Sequence, residues 1–241
     1  MPHGNRPEKT PRTALESAAH DLGRSTQAIR ASAGGSLAFC RDGEAEALRD
    51  WARARELVLD PFEFLSPAWT GGEEHLVWHD ETGDRYIKLT KANAFGLTVA
   101  AEWFIDDERD EAELKPALRG AMPSEYLDRL LLQNEIFGDE VELLGIIDKR
   151  QALHVVTSQP TIRGGAASPE EISDFMHRLG FRLLPELHIG RLGALSFFHE
   201  RDGIAAFDCH AANYLVSGRD IVPIDVLLVR ANDDLLTALA L

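Results

Sequence analysis

Between residues 194 and 229 the chain alternates short apolar runs with tight polar turns, and this alternation restricts the fold more than any other feature. The runs cover 194–199, 204–207, 214–216 and 221–229, and Asp202-Gly203 and Ser217-Gly218-Arg219-Asp220 separate two pairs of them. Short runs rich in Val, Ile, Phe and Tyr, bounded by Gly and Asp, predict antiparallel strands joined by hairpins. One connection is different. Asp208-Cys209-His210-Ala211-Ala212-Asn213 is a loop that carries an Asp and an Asn, and Asp225 sits in the last run.

Upstream the periodicity changes several times. Residues 1–12 are polar and contain proline. Residues 13–33 give two short helical patterns around Leu22-Gly23, the outline of a helix-turn-helix, for which a plain helical hairpin or leader is the simpler reading. Residues 43–58 predict an amphipathic helix with Ala47, Leu48, Trp51, Ala54 and Val58 on its apolar side, closed by Asp60-Pro61. Residues 76–78 and 86–89 flank a polar, Gly-containing turn and predict a hairpin. Residues 91–121 are mixed, and the charge run from Asp106 to Glu113 reads as a solvated loop or helix face. Pro123-Ser124-Glu125 opens a helix that runs through Phe137 and stops at Gly138-Asp139. Residues 141–147 and 153–157 predict two strands, the second ended by Pro160. Ser168-Pro169-Glu170-Glu171 is a capping-box start for a helix closed by Gly180. A small sheet with one helix, followed by a helix and a β-loop-β tail, is an α+β arrangement.

The chemistry concentrates in Asp208, Asn213 and Asp225. Transfer of a phosphoryl group needs a divalent metal between phosphate oxygens, and Mg²⁺ takes oxygen ligands from one or two protein groups. A loop Asn and an Asp on the next strand supply such oxygens. An Asp a few residues before the Asn can orient an attacking hydroxyl and accept its proton. Turns also collect these residue types, so the set alone is equally well explained as turn chemistry. Lys88, inside the apolar run Tyr86-Ile87-Lys88-Leu89, adds a cation that a strand can aim into a cleft, although an outward edge Lys is the common alternative. Glu125 and Glu135 on the following helix are both candidates for its partner.

Charge and cysteine usage exclude several classes. Forty Asp and Glu against 25 Lys and Arg give a formal charge of −15, which repels phosphate backbones, so nucleic acid is not an expected partner. Two distant cysteines, Cys40 and Cys209, make no disulfide framework. The first thirty residues lack a secretory apolar stretch, and nowhere do eighteen apolar residues run together. A cytoplasmic protein with no membrane span is the expectation. His75, His79 and the Cys209-His210 pair do not have the CxxC or HxxH spacing of a zinc site.

The order of strand Lys, helix, two strands, then Asp-x-His-x-x-Asn and a strand-borne Asp resembles the protein-kinase-like superfamily. It is closer to aminoglycoside-phosphotransferase-like kinases than to eukaryotic protein kinases. More narrowly it resembles the kinase domain of polyvalent proteins of phages and mobile elements. The stretches that carry the likeness are Gly71-Gly72-Glu73-Glu74-His75 with Tyr86-Ile87-Lys88; Glu125-Tyr126-Leu127 to Gly138-Asp139; Thr157-Ser158-Gln159-Pro160; Gly180-Phe181; and Phe207 to Asn213 with Pro223-Ile224-Asp225. The resemblance implies an abbreviated two-lobed fold with an N-terminal helical extension over 1–60, a first lobe over 61–157 and a reduced second lobe over 158–241. It implies ATP and Mg²⁺ as cofactors. Lys88 would hold phosphates and pair with a helix carboxylate, Glu125 or Glu135. Gly71 and Gly72 would stand over the phosphates, and Ser158 and Gln159 would form the hinge against the base. Asp208 would be the catalytic base, and Asn213 and Asp225 the metal ligands.

Departures from the pattern are specific. There is no GxGxxG, and Val226-Leu227 follows Asp225 where protein kinases have Phe-Gly. Sixteen residues follow Asp225 in this sequence, so acceptor recognition is expected from residues 1–65 or from a partner. The acceptor is left open among protein, small molecule and nucleotide. Two other readings stand beside the kinase: a pseudokinase that binds nucleotide as a scaffold, and a DNA-associated regulator using residues 13–33.

Overall fold

The computed structural model of the chain describes residues 12–32, 34, 36–61, 69–70, 74–106 and 111–241. Its first element, α1 (Ala14–Ser32), is one uninterrupted helix. The expected break at Leu22-Gly23 does not form. Leu15, Ala18, Ala19 and Leu22 are buried on one stripe, and that packing carries the helix through a glycine that costs only about 1 kcal/mol relative to alanine. The partner of α1 is α2 (Leu37–Arg53), which begins before the expected residue 43 because Ser36 caps it, accepting from the Phe39 N–H. It also ends at Arg53, short of Asp60-Pro61. Residues 13–33 therefore lack the second helix of a DNA-reading module, and the apolar stripe of α1 is covered by its neighbours. Leu22, Leu48, Trp51, Tyr126, Leu127 and Ile146 share one core.

Three strands follow: β1 (Trp69–Thr70), β2 (His75–Asp80) and β3 (Arg85–Thr90). The mixed stretch 91–121 makes a long hairpin, β4 (Leu97–Asp106) and β5 (Glu111–Gly120), and of the charge run expected as a solvated loop or helix face residues 107–110 lie outside the described residues. The hairpin's period of two was hidden by the charges. Val99 pairs with Leu118, Ala101 with Pro116 and Trp103 with Leu114, giving one apolar face, while Glu102 opposite Lys115 lies on the other.

Helix α3 (Pro123–Phe137) has the bounds that the sequence predicts. The Glu125 carboxylate accepts the Met122 N–H at 2.8 Å at its start. Gly138, at φ +70°, closes it in the left-handed region that glycine adopts without penalty. Then come β6 (Glu142–Lys149) and β7 (Ala152–Pro160). They complete an antiparallel sheet of order β1-β2-β3-β7-β6.

The remaining elements are β8 (Gly165–Ala166), α4 (Pro169–Arg178), β9 (Arg182–Leu183), β10 (Leu195–His199), β11 (Ile204–Cys209), a 3-10 turn (Ala211–Asn213), β12 (Tyr214–Ser217), β13 (Asp220–Pro223), β14 (Leu227–Arg230) and α5 (Asp233–Ala238). Two small sheets result, β14-β11-β10-β9 and β13-β12-β8. Ser168 and Glu171 cap α4 reciprocally, as the sequence predicts. Ile172 and Met176 of α4 pack with Phe197, Ala206, Cys209, Tyr214 and Val226. The run 221–229 is not one strand. Its two halves belong to different sheets, and 224–226 crosses between them. Asp225 sits in that crossing. Helices and antiparallel sheets are thus segregated along the chain in an α+β fold.

Candidate nucleotide and metal site

Lys88 lies in the middle of the first sheet. Val77 and Thr157 are its cross-strand partners, and Leu143 lies beyond Thr157. Directly opposed residues share a face of a sheet. Thr157 hydrogen-bonds the hydroxyl of Tyr126, so this row faces α3. Ile87, Ile147 and Val156 form a separate cluster with Leu59 and Trp78. Aimed this way, the Lys88 ammonium donates to the Ile224 carbonyl at 3.2 Å.

That bond brings Lys88 to the crossing that carries Asp225. Burial alone would push the Asp225 carboxyl up. The charges of Lys88 and Arg129 outweigh burial and hold it below the usual carboxylate range. Asp225 therefore stays ionised. Around it is a polar group that the sequence reading assigned no role. Arg129 of α3 donates to both oxygens of Glu74, at 2.6 and 3.2 Å. His75 and Tyr126 hydrogen-bond at 3.0 Å between ring Nε2 and hydroxyl. Burial holds the His75 imidazole down to about 4, so it is neutral. One ligand atom each from Glu74, His75 and Asp225 lies within 4.8 Å of the others. Because Arg129 already neutralises Glu74, this trio is better suited to fixing Asp225 than to closing around a second cation.

Asp208 and Asn213 are placed by the end of β11 and the turn after it. Asp208 has φ +57°. Its side chain accepts from the Arg191 N–H at 2.8 Å and from Asn213 Nδ2 at 3.3 Å, and His210 Nε2 lies 3.4 Å away. Asn213 Nδ2 also donates to the Asp208 carbonyl at 3.0 Å. With its amide nitrogen so occupied, Asn213 keeps its Oδ1 as an acceptor. The loop is joined to the crossing because the Ile224 N–H donates to the Asn213 carbonyl at 2.9 Å and Tyr214 pairs with Pro223. Lys88, Asp208, Asn213 and Asp225 are therefore linked through Ile224 and Asn213 into one region. Asn213 and Asp225 each offer an oxygen of the kind that Mg²⁺ takes.

Other expected positions fall elsewhere. Glu125 does not meet Lys88, because Arg119 holds its carboxylate at 2.6 and 3.0 Å. Glu135 is exposed and pairs with Arg230 at 2.9 Å. Ser158 and Gln159 are buried residues of β7, not a separate hinge. Ser158 faces Ile87 on one side and Glu142 on the other, and its hydroxyl accepts from Arg85. The ladder overrides the turn expected there and ends only at Pro160. Gly71 and Gly72 lie outside the described residues. Sequence reasoning left Glu74, His75, Arg129 and Asp139 without a role. Each is a charged or titratable residue at a buried or nearly buried position, which nothing in its immediate sequence marks. Arg129 stands out, since it occupies the inward face of α3 between Tyr126 and Leu130.

Residues 112–230 match the family described as Serine/Threonine/Tyrosine Kinase found in polyvalent proteins. That segment is similar to the kinase domain of polyvalent proteins. No curated protein and no solved structure matches the chain. The match covers α3, the Asp208–Asn213 loop and Asp225, whereas Lys88, Glu74 and His75 precede it. The kinase-like segment thus holds the loop and crossing, and the strand lysine reaches them from outside it.

Proposed function

We propose that the protein is a kinase-like phosphotransferase that uses ATP with Mg²⁺. The observation that carries this reading is the Lys88 bond to the Ile224 carbonyl beside Asp225, with Asn213 bonded to the same residue from the other side. A cation, an ionised carboxylate and an amide-bearing residue linked through Ile224 suit a triphosphate and its metal. Mg²⁺ would be held by Asn213 and Asp225, and when bound it would offset charge on the phosphate oxygens. Lys88 would bind and orient phosphate. Asp208, fixed by the Arg191 N–H and Asn213, would orient an acceptor hydroxyl and take its proton. The acceptor hydroxyl could belong to a protein, a small molecule or a nucleotide. No helix among the described residues is long and apolar enough to cross a membrane, and both cysteines are free and buried. Those features and the use of ATP suit a reducing cytoplasmic setting.

The test is ADP formation from ATP and Mg²⁺ by the intact protein. Turnover that is lost in Asp208→Ala supports the enzyme. ATP binding without turnover, unchanged in Asp208→Ala, supports a nucleotide-binding scaffold in its place.

A further inference from the structure

The β4–β5 hairpin carries an apolar stripe that begins in the core and ends in solvent. Residues two apart in a strand share a face, so Val99, Ala101, Trp103 and Ile105 lie in one row along β4. At the inner end Val99 is 2% exposed and shares a core with Phe207, Leu227 and Leu235. At the outer end Trp103 is 68% and Ile105 72% exposed. Phe104, on the opposite face, is 46% exposed. Single exposed apolar side chains are ordinary, whereas three large ones in succession mark a surface that another molecule covers. Among the described residues neither edge of the hairpin pairs with a further strand, and a two-stranded sheet is marginal in water without packing. The same end is acidic. Glu102 and Glu113 are exposed, Glu113 stands opposite Phe104, and Lys115 is taken up by Glu113 at 2.8 Å. From Asp106 to Glu113 the sequence holds six carboxylates and one arginine. A second copy of the chain, itself at −15, would bring like charge to this surface. Interfaces place opposite charges around an apolar centre.

We propose that the outer half of this hairpin, Trp103, Phe104 and Ile105 with Glu102 and Glu113, docks a partner protein whose apolar surface is rimmed by lysine and arginine. The contact is independent of the nucleotide site. The probe is a short labelled peptide of alternating leucine and lysine, titrated with the intact protein and read by fluorescence anisotropy. It should bind, and more weakly as salt is raised. Peptides with glutamate in place of lysine, or serine in place of leucine, should bind at least about tenfold more weakly. Trp103→Ser and Ile105→Ser should each weaken binding of the leucine–lysine peptide about tenfold, with unchanged urea midpoints because both side chains are already exposed. Glu102→Lys should weaken it as well, which separates local charge from the overall −15. Leu192→Ser removes a 99% exposed leucine outside the hairpin and should leave binding unchanged. No binding of the leucine–lysine peptide, or binding indifferent to Trp103 and Ile105, would overturn the proposal. Sedimentation showing a wild-type dimer that Trp103→Ser dissolves would also overturn it, since a second copy would then be the occupant. Flotation with phosphatidylcholine vesicles that Trp103→Ser abolishes would overturn it in favour of a lipid surface.

Discussion

The Lys88 ammonium reaches the Ile224 carbonyl at 3.2 Å, and this contact joins the middle of the first sheet to the crossing that holds Asp225. A neutral carbonyl is a modest partner for an ammonium. Phosphate oxygens would compete well for it, because they add charge–charge attraction to the hydrogen bond.

Asp208→Asn should lower phosphoryl transfer by about 10²–10⁴-fold, the usual contribution of a general base. ATP affinity should change little, because the proposed role of Asp208 is toward the acceptor. Steady-state rates and direct binding on the same preparation would separate the two. A comparable loss of affinity would place Asp208 in nucleotide binding.

Gly190→Ala should reproduce that loss from a distance. Gly190 has φ +97°, and a Cβ there would collide with the Asp208 carboxylate. The added methyl both strains the backbone and displaces the side chain. Turnover should fall with Asp208 still present, while ATP affinity is retained. Unchanged turnover would mean that the position of Asp208 is not critical.

Arg129 and Glu74 form a buried pair behind Asp225, with side-chain exposures of 4% and 10%. Breaking such a pair from one side leaves a buried charge and costs about 3–5 kcal/mol. Arg129→Met should therefore destabilise strongly in urea denaturation, and Arg129→Met with Glu74→Leu should recover much of the loss. If the double variant is as unstable as the single one, the pair does more than neutralise itself.

Two buried groups oppose each other in their effect on stability against pH. His75 is held down to about 4 from an ordinary 6.5, so below about pH 6.5 the unfolded chain takes a proton that the fold refuses. Its contribution is lost as pH falls from about 6.5 to about 4. Asp139 is held up to about 7 from an ordinary 3.8, so the fold keeps a proton that the unfolded chain has released. Its contribution is lost as pH rises from about 3.8 to about 7. Asp139→Asn should expose the histidine slope and be less stable at pH 5 than at pH 7. His75→Gln should show the reverse. Urea midpoints at the two pH values measure both, and slopes of one sign in both variants would contradict the assignment.

Much of this organisation was legible in the sequence, and the exceptions have physical causes. The bounds of α3 were readable because Pro123, Glu125 and Gly138 act locally at its ends. The loop with Asp208 and Asn213 was readable because short apolar runs frame it. The β4–β5 hairpin was not, since alternating charges on one face masked the apolar face opposite. The single helix α1 was missed because a core formed with α2 and α3 decides whether Gly23 breaks it. Asp225 was placed on a strand, and only the switch between two sheets puts it in a crossing. The surroundings of Lys88 were the least legible. Glu74, His75, Arg129 and Asp139 come from three separate parts of the chain, and no local pattern tells a buried charge from a surface one.

Isothermal titration of ATP into the intact protein, with and without Mg²⁺, beside Asp225→Asn and Lys88→Met, tests the nucleotide site most directly. Mg²⁺-dependent binding that Asp225→Asn abolishes and Lys88→Met weakens is the expected result. Absence of binding, or binding indifferent to both Mg²⁺ and Asp225, would contradict it.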